Sequence, residues 1–207
     1  MTLCTLADVK SMLDILDTNQ DAKLNLLIKQ ASSAIVKHLG YPVARATYTG
    51  EKYAINNNQI LILNAQPIQS ITSITLTGVA VTDYDISPEY ANIGFVYRGA
   101  GWCGNFYTRS LTNDPVAGFR DIVITWIGGW YLPGDVGYVE DNPASLPIGI
   151  STAATYAVIE SYRVNMLSAE GIKSHSEGGI SDTFGDNVGL STRVRELLGP
   201  WVRVGIA

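Results

Sequence analysis

The chain has 207 residues, of which 46% are hydrophobic and only 16% charged, and its net charge is −5. That balance can fill a core, so an intrinsically disordered chain is excluded, and the lack of a basic excess excludes an electrostatic grip on nucleic acid. The charged fraction falls below the usual quarter, which favours a surface partly covered by partners.

In chain order, the first forty residues predict a helical hairpin. Leu6, Val9, Leu13 and Leu16 recur at helical spacing, and Thr5 with Asp8 three residues on has the form of a capping box. A polar break at Asp17-Thr18-Asn19-Gln20 precedes a clean stripe of Leu24, Leu27, Ile28, Ala31, Ile35 and Leu39. Gly40, with Pro42 beyond it, stops this second helix. From Tyr41 onward the chain turns to short runs rich in Ile, Val, Thr and Tyr. Residues 47–53, 60–63, 71–76, 84–86, 95–97 and 122–127 predict strands of a small antiparallel β-region, with turns at 56–58 and at Thr77-Gly78. Two connections, 99–118 and 133–147, are long for hairpin loops, and loops of that length are usually functional or mobile.

After Pro147 a third helix is predicted over 148–167. Ala153, Ala154, Ala157 and Ser161 give it a small-residue face for close approach, either in the core or between subunits. Tyr156, Ile159, Tyr162 and Val164 leave it little polar surface, so burial on more than one side is expected. Residues 170–186 are polar and glycine-rich and read as a flexible loop or an exposed ribbon. A short helix over 192–198 leads to Gly199-Pro200, and the tail Trp201-Val202-Arg203-Val204-Gly205-Ile206-Ala207 alternates like a strand without a neighbour to pair with. The expected class is therefore α+β in a single domain, organised as 1–40, 41–146 and 147–207.

Several motifs invite a chemical reading. Asp17-x-Asn19-x-Asp21 imitates the first half of a calcium loop, but Ala22 stands where the sharp turn needs Gly and Ile28 where the bidentate carboxylate belongs. A helix-capping turn is the expectation there. Gly99-Ala100-Gly101-Trp102-Cys103-Gly104 matches the dinucleotide fingerprint literally, yet no amphipathic helix follows and the chain has no βαβ alternation, so it reads as a glycine loop. His38 sits near a helix C-terminus, where a cation is favourable. His175 lies between Ser174 and Ser176 without a nucleophile turn to support a hydrolase. Cys4 and Cys103 lack metal-ligand spacing, so neither a zinc site nor a disulfide scaffold is expected. No catalytic residue, metal or cofactor is expected. The opening residues show no signal-peptide pattern, and no apolar run approaches the ~20 residues that span a bilayer. Trp126, Trp130 and Tyr131 bracket Gly128-Gly129 as core aromatics or, with Trp102, as a carbohydrate- or protein-binding platform.

Taken in order, these segments resemble the head-tail connector proteins of tailed bacteriophages, also called head completion or adaptor proteins. The resemblance is carried by Thr5-Leu6-Ala7-Asp8-Val9-Lys10, Ile35-Val36-Lys37-His38-Leu39, Ile60-Leu61-Ile62-Leu63 and Pro67-Ile68-Gln69-Ser70-Ile71. It continues through Val123-Ile124-Thr125-Trp126-Ile127-Gly128-Gly129-Trp130, Leu146-Pro147, Ile172-Lys173-Ser174-His175-Ser176 and Arg193-Val194-Arg195-Glu196-Leu197-Leu198-Gly199-Pro200-Trp201. It implies a non-enzymatic virion component at the head-tail junction, present in the host cytoplasm during assembly. Such proteins form a ring, usually of twelve subunits, between portal and tail. The ring extends the DNA channel and helps retain packaged DNA. The implied partners are further copies of the chain, the portal, a tail or tail-completion protein, and duplex DNA passing without sequence-specific binding. No membrane partner is implied. On this reading the tail residues Trp201, Val202, Arg203, Val204 and Ile206 add to a sheet edge of the portal, whereas the bland alternative folds Trp201 back on its own core. Lys173, Ser174, His175 and Glu177 face the channel or a neighbouring subunit. A monomeric virion binding module using exposed aromatics, and a hydrolase using Ser174 and His175, are the competing readings.

Overall fold

The computed structural model describes residues 1–55, 57–103, 122–168, 174–177, 180–183 and 190–203. The chain divides into two compact units, one formed by Met1–Gly40 with Tyr131–Ala207, the other by Tyr41–Trp130. The loop that follows Tyr131 groups with the helices.

In the first unit, α1 (Leu6–Leu13) begins at the capping box. Thr5 Oγ1 accepts from the Asp8 amide at 3.1 Å, and Asp8 Oδ2 accepts from the Thr5 amide at 3.2 Å. Such a cap contributes about 1 kcal/mol. The helix ends one turn earlier than its apolar period suggests. Asp14 takes a left-handed conformation (φ 55°), and the chain leaves the helix axis. Leu16, expected on the buried stripe, is consequently 98% exposed.

α2 (Asp21–Leu39) buries Leu24, Leu27, Ile28, Ala31, Ile35 and Leu39, the whole expected stripe, and closes on Gly40 at φ 81°. At about 1.5–3 kcal/mol per buried Leu or Ile, this face outweighs any propensity term. The long helix over Ile148–Ser168 is the fourth in the chain (α4), because a five-residue helix, α3 (Pro88–Asn92), interrupts the β-region. α4 packs against α1, α2 and α5 (Thr192–Leu198) of its own chain, which is why it carries so little polar surface. In the polar segment after α4, β7 (Ser174–Glu177) and β8 (Ile180–Thr183) pair antiparallel as a ribbon.

The second unit is built on β1 (Ala46–Tyr53), β2 (Ile60–Ile62), β3 (Ile68–Leu76), β4 (Val79–Ala80), β5 (Phe95–Tyr97) and β6 (Ile122–Gly128). One sheet has the order β1-β6-β3-β4, and β2 pairs with β5; every pairing is antiparallel. β6 holds the centre because its alternation is complete: Ile122, Ile124 and Trp126 are fully buried, with Val123, Thr125 and Ile127 on the other face. Together with Leu61, Ile74, Val96 and Trp102 they make one apolar cluster. β3 and β4 are joined at Thr77 and Gly78, both at positive φ (50° and 81°), as a two-residue hairpin of primed type requires. Residues 84–86, expected as a strand, contribute only a single bridge from Asp85 to Tyr97; Pro88 then starts α3. At the end of β6, Gly128 lies under Trp126, where a Cβ would come within 2.2 Å of the ring. Gly129 (φ 86°) passes so close to Ala44 that a Cβ would stand 2.4 Å from its carbonyl oxygen. The paired glycines are what let the chain cross there.

Candidate docking surfaces

The tail is the first surface to place. α5 is capped by Ser191, whose Oγ accepts from the Val194 amide, and Val194 and Leu198 are buried. Pro200 then forces a 3-10 turn over Gly199–Trp201. The Trp201 ring lies on Gly149 of α4 so closely that a Cβ on that glycine would meet Cη2 at 2.3 Å. The Arg203 amide donates to the Leu39 carbonyl at 3.2 Å, which satisfies an orphan acceptor at the end of α2. Trp201 and Arg203 are therefore tied to the helices of their own unit and are not part of a free strand. Val202 follows the turn in extended conformation, while Val204 and Ile206 fall outside the described residues.

On α4, Ala153, Ala154 and Ala157 are buried, and overfilling a packed core is ordinarily destabilising. Ser161, one turn beyond Ala157 on the same face, is exposed in the single chain, and its Oγ donates to the Ala157 carbonyl at 2.8 Å. Ser174, His175 and Glu177 lie on β7, with His175 opposite Asp182 in the register. Lys173 lies outside the described residues.

The aromatic platform is not present on the surface. Trp102 and Trp126 are fully buried and Trp130 is 5% exposed, because each fills core volume and satisfies its polar edge internally where a bond is seen. Trp102 Nε1 donates to the Val96 carbonyl at 3.2 Å, and Trp126 Nε1 donates to Glu51 Oε2 at 3.0 Å. Tyr131 is partly buried, and its backbone pairs with 144–146. Sequence reasoning missed Glu51, which also accepts from Tyr53 Oη at 2.7 Å and ties the edge strand β1 to the centre of the sheet. The available signal was a buried strand tryptophan in need of an acceptor. Gly101, at φ 75°, belongs to a turn stitched by Arg98, which donates to the Gly101 carbonyl and to Asp83 and lies 5.8 Å over the Trp102 ring. The hydrogen bond from Arg98 holds the Asp83 carboxyl below its ordinary range.

The acidic segment before α2 works as a turn. Asp17 Oδ1 accepts from the Asn19 amide, and Asp21 pairs with Lys10 at 2.7 Å, so a lysine neutralises the carboxylate a cation would need. Among the described residues no three His, Cys, Asp or Glu side chains gather as a metal site requires. No helix among them is long and apolar enough to cross a membrane. Cys4 and Cys103 are both unpaired; Cys103 is exposed, while burial pushes the Cys4 thiol up to about 11.

The 131–147 loop is closed by hydrogen bonds at its base and within it. The Tyr131 amide donates to Ala144 and the Leu146 amide to Tyr131, each at 2.9 Å, closing the neck. Inside, Asp135 Oδ2 accepts from the Leu132 amide at 2.8 Å and Ser145 Oγ from the Val139 amide at 3.1 Å. At the tip Val136 is 99% exposed and Val139 57%.

Residues 2–100 match the family described as head completion protein. A chain in the neck of an empty gene transfer agent particle, determined with C6 symmetry, superposes with a TM-score of 0.50 at 15% identity, covering 99% of this chain and 92% of that one. A neck chain of the native particle, determined with C12 symmetry, gives a TM-score of 0.45 at 16% identity, with 96% and 90% covered. The first of these agreements shows a shared fold. No curated protein sequence matches the chain.

Proposed function

We propose, from the head completion match across residues 2–100, that this chain is a structural protein of the virion head-tail junction. That match is the observation that carries the reading, and it coincides with the resemblance in segment order along the chain. In this reading, copies of the chain form a ring between portal and tail. The ring extends the DNA channel, helps retain packaged DNA and presents a surface to the tail. The role is structural and needs no catalytic step. With the ring number taken as twelve from the family resemblance, copies at −5 each carry about −60 in total. A predominantly acidic ring lets duplex DNA slide past and does not hold it. Burial of Trp102, Trp126 and Trp130 removes support from the carbohydrate-platform alternative.

The test is reconstitution. Heads assembled without this chain are expected to lose DNA and remain tailless, and adding the purified chain should restore both properties. Tailed, DNA-filled particles formed in its absence would overturn the reading.

A further inference from the structure

The fully exposed Val136 lies on a loop whose neck and interior are pinned by hydrogen bonds, so its exposure is not the result of fraying. Val139 is also exposed, and Asp135, Glu140 and Asp141 flank the pair. No Lys or Arg occurs between Arg120 and Arg163, so every formal charge that the loop itself carries is negative. Tyr138 reports it: its hydroxyl is held above the ordinary range first by burial and then by Glu140, Asp8 and Asp141. Neither Glu140 nor Asp141 has an ion-pair partner among the described residues.

α2 presents the complement. Its side away from the core is a helical stripe of Ala22, Leu26, Lys29, Ser33 and Lys37, all exposed. Leu26 stands 56% exposed on it, an apolar side chain where the amphipathic pattern calls for a polar one. The sole acid in α2, Asp21, is taken up by Lys10, so the stripe is purely basic. Lys29 and Lys37 have no ion-pair partner among the described residues.

We propose that the 132–145 loop of one copy docks on the outer stripe of α2 in a second copy, with Val136 and Val139 against Leu26 and the loop acids against Lys29 and Lys37. The inference rests on the ring reading above and supplies its contact. An apolar centre with a charged rim is the usual anatomy of such an interface. Because the two surfaces are different patches, the contact is head-to-tail and propagates until a ring closes.

The experiment uses full-length chain and two exposed double variants, E140K/D141K in the loop and K29E/K37E on α2. Assemblies are sized by native mass spectrometry, alone and with portal as template, and folding is checked by thermal melts. Reversing two rim pairs is expected to weaken association by about tenfold or more. Each variant alone should therefore fail to form the wild-type ring while melting normally. An equimolar mixture should restore it, since the basic loop of one variant then meets the acidic stripe of the other, and the native loop meets the native stripe. Wild-type rings from either variant alone, or no restoration in the mixture, would overturn this contact and leave the ring standing. A wild-type chain that stays monomeric both free and with portal would overturn the ring and the contact together.

Discussion

Replacing Gly149 with alanine tests whether the start of the tail belongs to the fold. Gly149 lies in the first turn of α4, and Gly→Ala within a helix ordinarily stabilises by up to about 1 kcal/mol. Here the new Cβ would come within 2.3 Å of Trp201 Cη2 and 2.8 Å of Cζ3. Either the ring leaves or the helix start shifts. A tryptophan side chain buries about 150–250 Å². Trp201 is largely covered, so losing some 120 Å² of that contact costs about 3 kcal/mol. The net change is then about 2 kcal/mol of destabilisation, opposite in sign to the propensity effect. Urea denaturation of G149A, W201A and the double variant reads it out. In the W201A background the clash is gone, so the alanine should become neutral or stabilising, and the coupling between the two sites should exceed about 1 kcal/mol. A G149A chain more stable than wild type with Trp201 in place would refute the packing of Trp201 on α4. The same geometry changes how the tail should be truncated. Removing 201–207 would unseat the helices, whereas removing 204–207 leaves the Trp201 contact and tests attachment to heads by itself.

Three further outcomes follow from Glu51 and the two cysteines. E51A should cost about 1–3 kcal/mol, because Trp126 Nε1 loses its acceptor inside the sheet, and E51Q should cost less by keeping an acceptor oxygen; near-ultraviolet circular dichroism and urea melts check both. Cys4 should resist thiol reagents at pH 8 while Cys103 reacts at once. Burial pushes the folded-state thiol of Cys4 up to about 11 from the ordinary 9.0, so the unfolded chain releases that proton first as pH rises. Stability from this residue is full below pH 9 and is lost between about 9 and 11, by up to about 3 kcal/mol, which C4A should abolish in a pH series of melts.

What was legible in the sequence is what local periodicity controls. The α2 stripe, the capping box at Thr5 and the alternation of β6 each involve neighbours within a turn or a strand, so residue order alone reveals them. Leu16 shows where that logic stops: it keeps the period of α1, but Asp14 has already turned the chain away from the helix. The surfaces were harder, because they depend on residues far apart in sequence. Nothing within the tail predicts that Trp201 finds Gly149, 52 positions earlier in the chain. Nothing near Trp126 announces Glu51, which the sheet brings to it across 75 positions. The length of the 133–147 connection left open whether it is functional or mobile; what closes it, Asp135, Ser145 and the Tyr131 backbone, depends on pairings that length does not reveal. Exposure on an ordered loop differs in consequence from exposure on a mobile one. A valine fixed in water at the tip of a braced loop gives up little further conformational entropy when a partner covers it, so the same apolar contact yields more net affinity there than it would on a free tail.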